Sequence, residues 1–154
     1  RFARPATLSV GPNDLNEIVE SVVSLIENQA VAQSVSVEKD LQKNLPPVSV
    51  DSEQIKQVLL NLAINSLQAM PGGGKLVFRT FEKNGFSVVA VEDNGSGIDE
   101  KISGKIFDPF FTTKEKGVGL GLSIAHKIVS QHRGNLLVEN RGGSTIFTLH
   151  LPKK

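Results

Sequence analysis

The spacing of apolar residues along the chain predicts three amphipathic helices. In residues 14–30 apolar side chains recur every three to four positions, the period of one helix face. Asp14 followed by Glu17 resembles a capping box, which marks a helix start. The same period recurs from Asp51 to about Met70 and from about Gly119 to His132. Each helix has one apolar face to bury against another layer.

Alternation of apolar and polar residues predicts strands in the remaining segments, which are 35–41, 46–50, 75–82, 86–93, 135–140 and 144–151. The last four form two pairs joined by short turns, so the strands cannot all be parallel. We therefore expect an α/β two-layer sandwich, with a mixed, mainly antiparallel sheet of about five strands and three helices on one face. Residues 94–116 show no sustained period, which predicts a long loop, and a loop of this length is usually either a functional lid or disordered.

Composition narrows the functional classes. The 154 residues fit one domain, and the net charge of +1 gives no electrostatic case for nucleic acid or an acidic membrane surface. The absence of cysteine excludes disulfides and thiolate metal sites. No apolar run approaches the roughly 20 residues that span a bilayer. The first ten residues, RFARPATLSV, lack an initiating Met and a signal peptide, so we expect a fragment of a longer chain.

Two asparagines stand out on the second predicted helix. Asn61 and Asn65 are four residues apart, which stacks them beside the apolar stripe, and Gln57 and Gln68 extend this polar line. A solvated face is one interpretation. The other is that an Asn amide oxygen, a neutral hard ligand, contacts Mg²⁺, an ion that takes few protein ligands and leaves positions for phosphates and water.

A carboxylate follows the valine-rich strand. Asp93 precedes Gly95 and Gly97, and Asn94-Gly95 is also a common turn dipeptide. An ionised carboxylate accepts hydrogen bonds but cannot donate them. It would favour adenine, which presents an amine, over guanine, which presents a carbonyl at the same place. Glycines beside it would let the backbone approach a flat base.

Three glycines at alternate positions, Gly117, Gly119 and Gly121, open the third helix and need an explanation, because glycine costs a helix about 1 kcal/mol relative to alanine. The spacing does not match a dinucleotide-binding fingerprint, and GGGKL at 72–76 does not match a P-loop. We expect a helix N-terminus whose free N–H groups face phosphate. The three histidines, at 126, 132 and 150, form no ligand pattern and are assigned structural roles.

In this order the motifs resemble the catalytic, ATP-binding domain of sensor histidine kinases, in the superfamily shared with gyrase, heat-shock chaperone and mismatch-repair ATPases. The segments that carry the resemblance are NLAINSLQAM (the N box), DNGSGI (the first glycine box), IFDPFFTTK (the F box), GVGLGLSIAHKIVSQH (the second glycine box) and GGSTIFTLHLP (the last glycine box). The resemblance covers residues 15–152. It implies that the chain binds ATP and Mg²⁺.

The resemblance also implies residue roles. Asp93 matches the adenine-binding Asp, Asn65 the Mg²⁺ ligand, and Thr145 a Thr in the adenine-water network. Asn61 faces the phosphates, and Lys114 is a phosphate contact. We count Asn61, Asn65 and Lys114 as catalytic. The full set of expected nucleotide contacts is Asn61, Asn65, Gln68, Asp93, Gly95, Gly97, Ile98, Phe107, Lys114, Gly117, Val118, Gly119, Leu120, Gly121, Leu122 and Thr145. Phe110 and Phe111 join Phe107 as lid aromatics.

The residue at position 61 separates hydrolysis from transfer. ATPase branches of the superfamily have a Glu four residues before the Mg²⁺-binding Asn, as general base for water, whereas this chain has Asn61. Asn61 cannot take a proton near neutral pH, so we expect phosphoryl transfer to a histidine. The alternatives are an ATP-hydrolysing clamp of the gyrase type, a serine kinase of the anti-sigma type and a nucleotide-binding module without catalysis.

The resemblance implies further parts of a signalling protein. No histidine here has the context of the phosphorylated one, so the substrate is expected on a separate dimerisation and phosphoacceptor domain of the same parent chain. Residues 1–12 are expected to be the lead-in from that domain, and residues 13–154 the catalytic domain. The other expected partner is the receiver domain of a response regulator. We expect the isolated domain to be monomeric and cytoplasmic and the parent homodimeric, with membrane anchoring of the parent left open.

Overall fold

The computed structural model describes residues 8–94, 118–141 and 143–153. Its helices and strands, in chain order, are β1 (Gly11–Asn13), α1 (Leu15–Ala32), β2 (Val35–Leu41), β3 (Val48–Val50), α2 (Ser52–Gln68), β4 (Gly74–Lys83), β5 (Phe86–Asp93), α3 (Val118–Gln131), β6 (Asn135–Arg141) and β7 (Ser144–Pro152). The three predicted helices and all six predicted strands are confirmed, with bounds that differ by one or two residues.

Five strands form the main sheet in the order β2-β4-β5-β7-β6. The pair β2 and β4 is parallel, and the other three pairs are antiparallel. The short turn Asn84-Gly85 joins β4 to β5, and both residues have positive φ (51° and 83°), as hairpin turns of this length require. The expected mixed, mainly antiparallel sheet is therefore confirmed.

The three helices pack side by side on one face of this sheet, with α2 between α1 and α3. Fully buried side chains from both layers form the core, and the largest among them are Phe78, Phe147, Leu15, Ile55, Leu59, Leu62, Leu67, Leu76, Leu149 and Leu151. Alternation along β5 and β7 directs every second residue into this core. The arrangement is the predicted two-layer sandwich. None of the helices in the described ranges combines the length and apolarity needed to cross a bilayer.

Aspartates cap the first two helices. The Asp14 carboxylate accepts a hydrogen bond from the Asn16 N–H at 2.9 Å, so Asp14 caps α1, although through residue 16 rather than the expected residue 17. At the C-terminal end of α2, the side-chain amide of Gln33, the residue that follows α1, donates to the carbonyls of Leu67 (2.8 Å) and Met70 (3.1 Å). The end of α1 thereby binds two carbonyls at the end of α2 that also accept backbone N–H groups, Leu67 from Met70 and Met70 from Gly73.

A small second sheet was not expected from the sequence. Strand β1 pairs with β3 in antiparallel register, with Gly11 opposite Val50 and Asn13 opposite Val48. The Asn13 amide also donates to the Val50 carbonyl at 3.0 Å. This pairing attaches the chain before α1 to the chain before α2. It crosses the boundary predicted between residues 12 and 13, which itself stays a prediction.

The third helix ends in a tight turn against the sheet. Arg133 has the left-handed φ of 62°, the Gly134 N–H donates to the Val129 carbonyl at 3.0 Å, and the Arg133 N–H donates to the Ser130 carbonyl at 3.0 Å. These two bonds define a Schellman motif. A Cβ on Gly134 would lie 2.2 Å from the His150 carbonyl oxygen. The Arg133-Gly134 stop predicted from the sequence thus has two different causes, a left-handed residue and a close backbone approach.

Candidate functional site

Asp93 and Thr145 lie directly opposite each other on the central strands β5 and β7. Asp93 is the last residue of its strand and Thr145 the second of its own. Both alternate in phase with core residues, so their side chains face the helix layer, and they are only 1% and 3% exposed. The sequence singled out both residues separately, and the strand register brings them together.

Asn140 on β6 extends this polar row to the third strand. It lies opposite Thr145, whose hydroxyl donates to the Asn140 side-chain oxygen at 3.3 Å. Asn140 was not predicted as a site residue. The alternation along β6 could have revealed it, because Asn140 shares the inward phase of Leu136 and Val138. A buried carboxylate beside hydroxyl and amide groups at a strand end can bind the polar edge of a planar ligand.

The predicted asparagine stripe lies on α2. Asn61 and Asn65 are both half-buried, whereas Gln57 and Gln68 at the two ends of the line are exposed. Around them the inward face of α2 is fully buried and touches β4 and β5. The stripe therefore follows the boundary between the core and solvent. A wholly solvated face, the first interpretation of this pattern, does not describe it.

The donor chemistry on this stripe suits one type of metal site. In the described part of the chain, no group of three or more His, Asp or Glu side chains is arranged to hold a metal ion. A half-buried Asn amide oxygen is a neutral hard ligand of the kind that Mg²⁺ accepts when phosphates and water supply its remaining positions. The residues present therefore fit an Mg²⁺ bound together with a phosphorylated ligand, and Asn65 would be its protein ligand.

Val118, Gly119, Leu120 and Gly121 form the first turn of α3. The glycines thus lie at a helix N-terminus, as expected, where backbone N–H groups are free to bind an anion. Leu122 follows them and is 4% exposed within the core, where it anchors this end of the helix. Its direct contact with a nucleotide stays a prediction. The remaining predicted site residues, Gly95, Gly97, Ile98, Phe107, Lys114 and Gly117, lie outside the described residues.

The three histidines have different environments. His126 is exposed on α3, and His150 is half-buried on β7, with its ring edge-on to Phe86 at 6.1 Å between centroids. Burial, and then the nearby Lys83 charge, lower the pKa of His150 below its usual 6.5. His132 is 6% exposed, and both ring nitrogens make hydrogen bonds. The structural role expected for His132 is therefore confirmed.

Comparison with known proteins agrees with this geometry. Residues 50–154 match the family model described as histidine kinase-, DNA gyrase B-, and HSP90-like ATPase. The signal transduction histidine-protein kinase AtoS of Escherichia coli strain K12 is 39% identical over 98% of this chain. The chain spans only 25% of the length of AtoS.

Solved structures show the same fold over nearly the whole chain. The catalytic domain of histidine kinase ThkA superposes with a TM-score of 0.86 at 34% identity, covering 94% of this chain and 96% of that one. ThkA in complex with the response regulator protein TrrA gives a TM-score of 0.87 at 31% identity, covering 99% of this chain and 44% of the kinase. The chain belongs to the histidine kinase-, DNA gyrase B- and HSP90-like ATPase family, and within it to the catalytic, ATP-binding domains of sensor histidine kinases.

Proposed function

We propose that this chain binds ATP with Mg²⁺ and transfers the γ-phosphoryl group to a histidine on a separate dimerisation and phosphoacceptor domain. The observation that carries the proposal is the buried pair of Asp93 and Thr145 on neighbouring strands. A carboxylate that accepts from an exocyclic amine selects adenine, and the Thr145 hydroxyl supports the same edge. In this proposal the half-buried Asn61 and Asn65 on α2 face the phosphates of the bound ATP.

Asn65 would hold Mg²⁺, which when bound neutralises charge on the phosphate oxygens. The glycine-rich first turn of α3 would offer N–H groups to the same oxygens, and Lys114 of the predicted lid would add a positive charge. The predicted contacts with Gly95, Gly97, Ile98, Phe107 and Gly117 belong to this proposal. In this arrangement the chain contributes position and charge rather than a covalent intermediate.

The residue at position 61 supports transfer rather than hydrolysis. Asn61 has no proton-accepting carboxylate, so it cannot activate water as a general base. A neutral imidazole needs no such activation, because its free nitrogen lone pair attacks phosphorus directly. The new P–N bond forms as the bond from the γ-phosphorus to the bridging oxygen breaks, and ADP leaves with that electron pair. A clamp of the gyrase type and a serine kinase of the anti-sigma type are not favoured.

The phosphorylated histidine is proposed to lie outside this chain. Both nitrogens of His132 are engaged, and it is buried. None of the three histidines has the sequence context of a phosphoacceptor. The dimerisation domain of the parent chain would supply that histidine, with residues 1–12 as the lead-in and residues 13–154 as the catalytic domain. We propose that the parent is a homodimer and that the isolated domain is a cytoplasmic monomer.

The second partner in this proposal is the receiver domain of a response regulator. ThkA, which is 31% identical to this chain, has been crystallised with the response regulator protein TrrA. A receiver of that class would take the phosphoryl group from the phosphohistidine. This part of the proposal rests on similarity alone.

Exchanging the two neighbouring carboxylates for amides tests the proposed site. Asp93→Asn replaces the buried carboxylate, whereas the control Glu92→Gln makes the same charge change on the opposite face of β5, where Glu92 pairs with Arg79. A hydrogen bond to a charged group contributes about 1.5–3 kcal/mol, so Asp93→Asn should weaken ATP binding roughly tenfold to a hundredfold. The control should bind as the unmodified chain does. Equal affinity for the two variants would show that Asp93 does not read adenine.

A further inference from the structure

Asp51 is the point where three segments of the chain meet. Its carboxylate accepts from the Ser9 N–H at 2.9 Å and from the N–H groups of Glu53 (3.1 Å) and Gln54 (3.2 Å) in the first turn of α2. Its own backbone N–H donates to His132 Nε2 at 3.1 Å. Asp51 is 9% exposed, so water competes little for these bonds. The sequence identified Asp51 only as the start of the second predicted helix.

His132 connects this point to the end of α3. Because the Asp51 N–H can only donate, Nε2 must be the acceptor, which leaves the proton on Nδ1. Nδ1 then donates to the Ile128 carbonyl at 2.9 Å, in the last turn of α3. The ring thereby binds one carbonyl of α3, which also accepts from the His132 backbone N–H, and one N–H preceding α2. We call Ser9, Asp51 and His132 the junction.

The junction lies at the opposite end of the two helices from the predicted nucleotide contacts. It joins the N-terminus of α2 to the C-terminus of α3, while Asn65 lies fourteen residues along α2, roughly 21 Å away at the helical rise. The glycine-rich turn is likewise at the far end of α3. The two helices contact each other between these ends. The junction therefore connects the two helices whose far ends carry the predicted nucleotide contacts.

We infer that Asp51 and His132 are positioning residues for the nucleotide site, and that the segment preceding β1 acts on that site through the Ser9–Asp51 bond. The inference rests on the proposed ATP site. Ser9 contributes only its backbone N–H, and it lies two residues before β1, which pairs with β3 immediately before Asp51. Tension or displacement in that segment reaches both helices through one residue, because the Asp51 carboxylate binds the first turn of α2 and the Asp51 N–H binds His132 at the end of α3.

Matched variants separate this role from plain stability. His132→Leu keeps the bulk but removes both hydrogen bonds, whereas His132→Gln retains an acceptor at a similar reach. Ser9→Pro removes the N–H that Asp51 accepts, whereas Ser9→Ala keeps it. For each variant we would measure the affinity for ATP with Mg²⁺ and the free energy of unfolding. Ser9→Pro lies outside every helix and leaves the core intact, so it stays interpretable if His132→Leu fails to fold.

The positioning role predicts that His132→Leu and Ser9→Pro each weaken ATP binding roughly fivefold, a typical coupling between sites. The double variant should lose less than the product of the two effects, and His132→Gln and Ser9→Ala should bind as the unmodified chain does. If binding by folded His132→Leu and Ser9→Pro is unchanged, the junction is only structural and the inference is wrong.

Hydrogen exchange distinguishes failure of the inference from failure of the proposed function. If the unmodified chain binds no ATP, the proposed function fails. In that case, the rate of amide hydrogen exchange in residues 61–68 of α2 tests whether a change at the junction affects the far end of α2. Faster exchange there in Ser9→Pro than in Ser9→Ala supports transmission along α2. Equal exchange rates overturn it.

Discussion

Replacing Gly134 with alanine tests how α3 is held against the sheet. A Cβ at this position would lie 2.2 Å from the His150 carbonyl oxygen, whereas ordinary contact begins at 3.4 Å. Backbone must therefore move by about 1.2 Å on one side or the other. His150 cannot yield easily, because at this residue β7 is paired with β5 on one side and with β6 on the other. The displacement falls instead on the turn that ends α3.

The cost follows from the contacts involved. Forcing an extra carbon into a packed site costs about 1–3 kcal/mol. Losing the bond from the Gly134 N–H to the Val129 carbonyl adds about 1 kcal/mol. Alanine returns about 0.4–1 kcal/mol by restricting the unfolded chain. We expect Gly134→Ala to lower the free energy of unfolding by about 2 kcal/mol.

Urea denaturation measures this loss. With a slope of about 2 kcal/mol per molar, the midpoint should fall by about 1 M while the slope stays unchanged. Gly72→Ala is the matched control, because its Cβ would meet nothing within 4 Å, and it should leave the midpoint within a few tenths of a molar. A Gly134→Ala midpoint as high as that of the control would refute the close approach of the turn to β7.

Three further predictions concern two fully buried side chains, Ser66 and Phe147, and the half-buried His150. Ser66→Ala should leave unfolding stability unchanged or raise it by up to about 1 kcal/mol, because the Ser66 hydroxyl is fully buried with no partner in the described part of the chain; urea denaturation checks this. Phe147→Ala should lower the free energy of unfolding by about 3–5 kcal/mol, since Phe147 is 0% exposed at the centre of the core, and a smaller loss by the same assay would contradict its packing there. Because the pKa of His150 is lowered on folding, the unfolded chain binds the proton first as pH falls below 6.5, so stability should fall with pH there. His150→Gln should remove that part of the pH dependence. If the free energy of unfolding depends on pH in the same way for His150→Gln and for the unmodified chain, above and below pH 6.5, the prediction is wrong.

The period of apolar residues was sufficient to predict the helices and the main sheet, because each has one face that must be buried. Strand β1 was missed, since a three-residue strand containing Pro12 has no readable alternation and depends on its partner β3. The register between neighbouring strands also could not be predicted from the sequence. The opposition of Asp93 and Thr145, and the bond from Thr145 to Asn140, exist only once three strands are aligned.

The junction shows the same limit more sharply. Asp51 is visible in the sequence as a helix start, because an Asp before an apolar helical period is a local signal. Its bond to His132 joins residues 81 positions apart, and its bond to Ser9 spans 42. Neither separation leaves a periodic signal. Local chemistry therefore identified the residue but not the connection.

Mixing this chain with the phosphoacceptor domain of its parent and γ-labelled ATP tests the central claim most directly. Transfer to histidine predicts label on the added domain that is labile in acid and stable in base, and no stable label on this chain. Because Asn61 has no carboxylate that could activate water, we also expect little release of free phosphate over the same period. Continuous phosphate release with no labelled protein would contradict the assignment of this site to histidine phosphorylation.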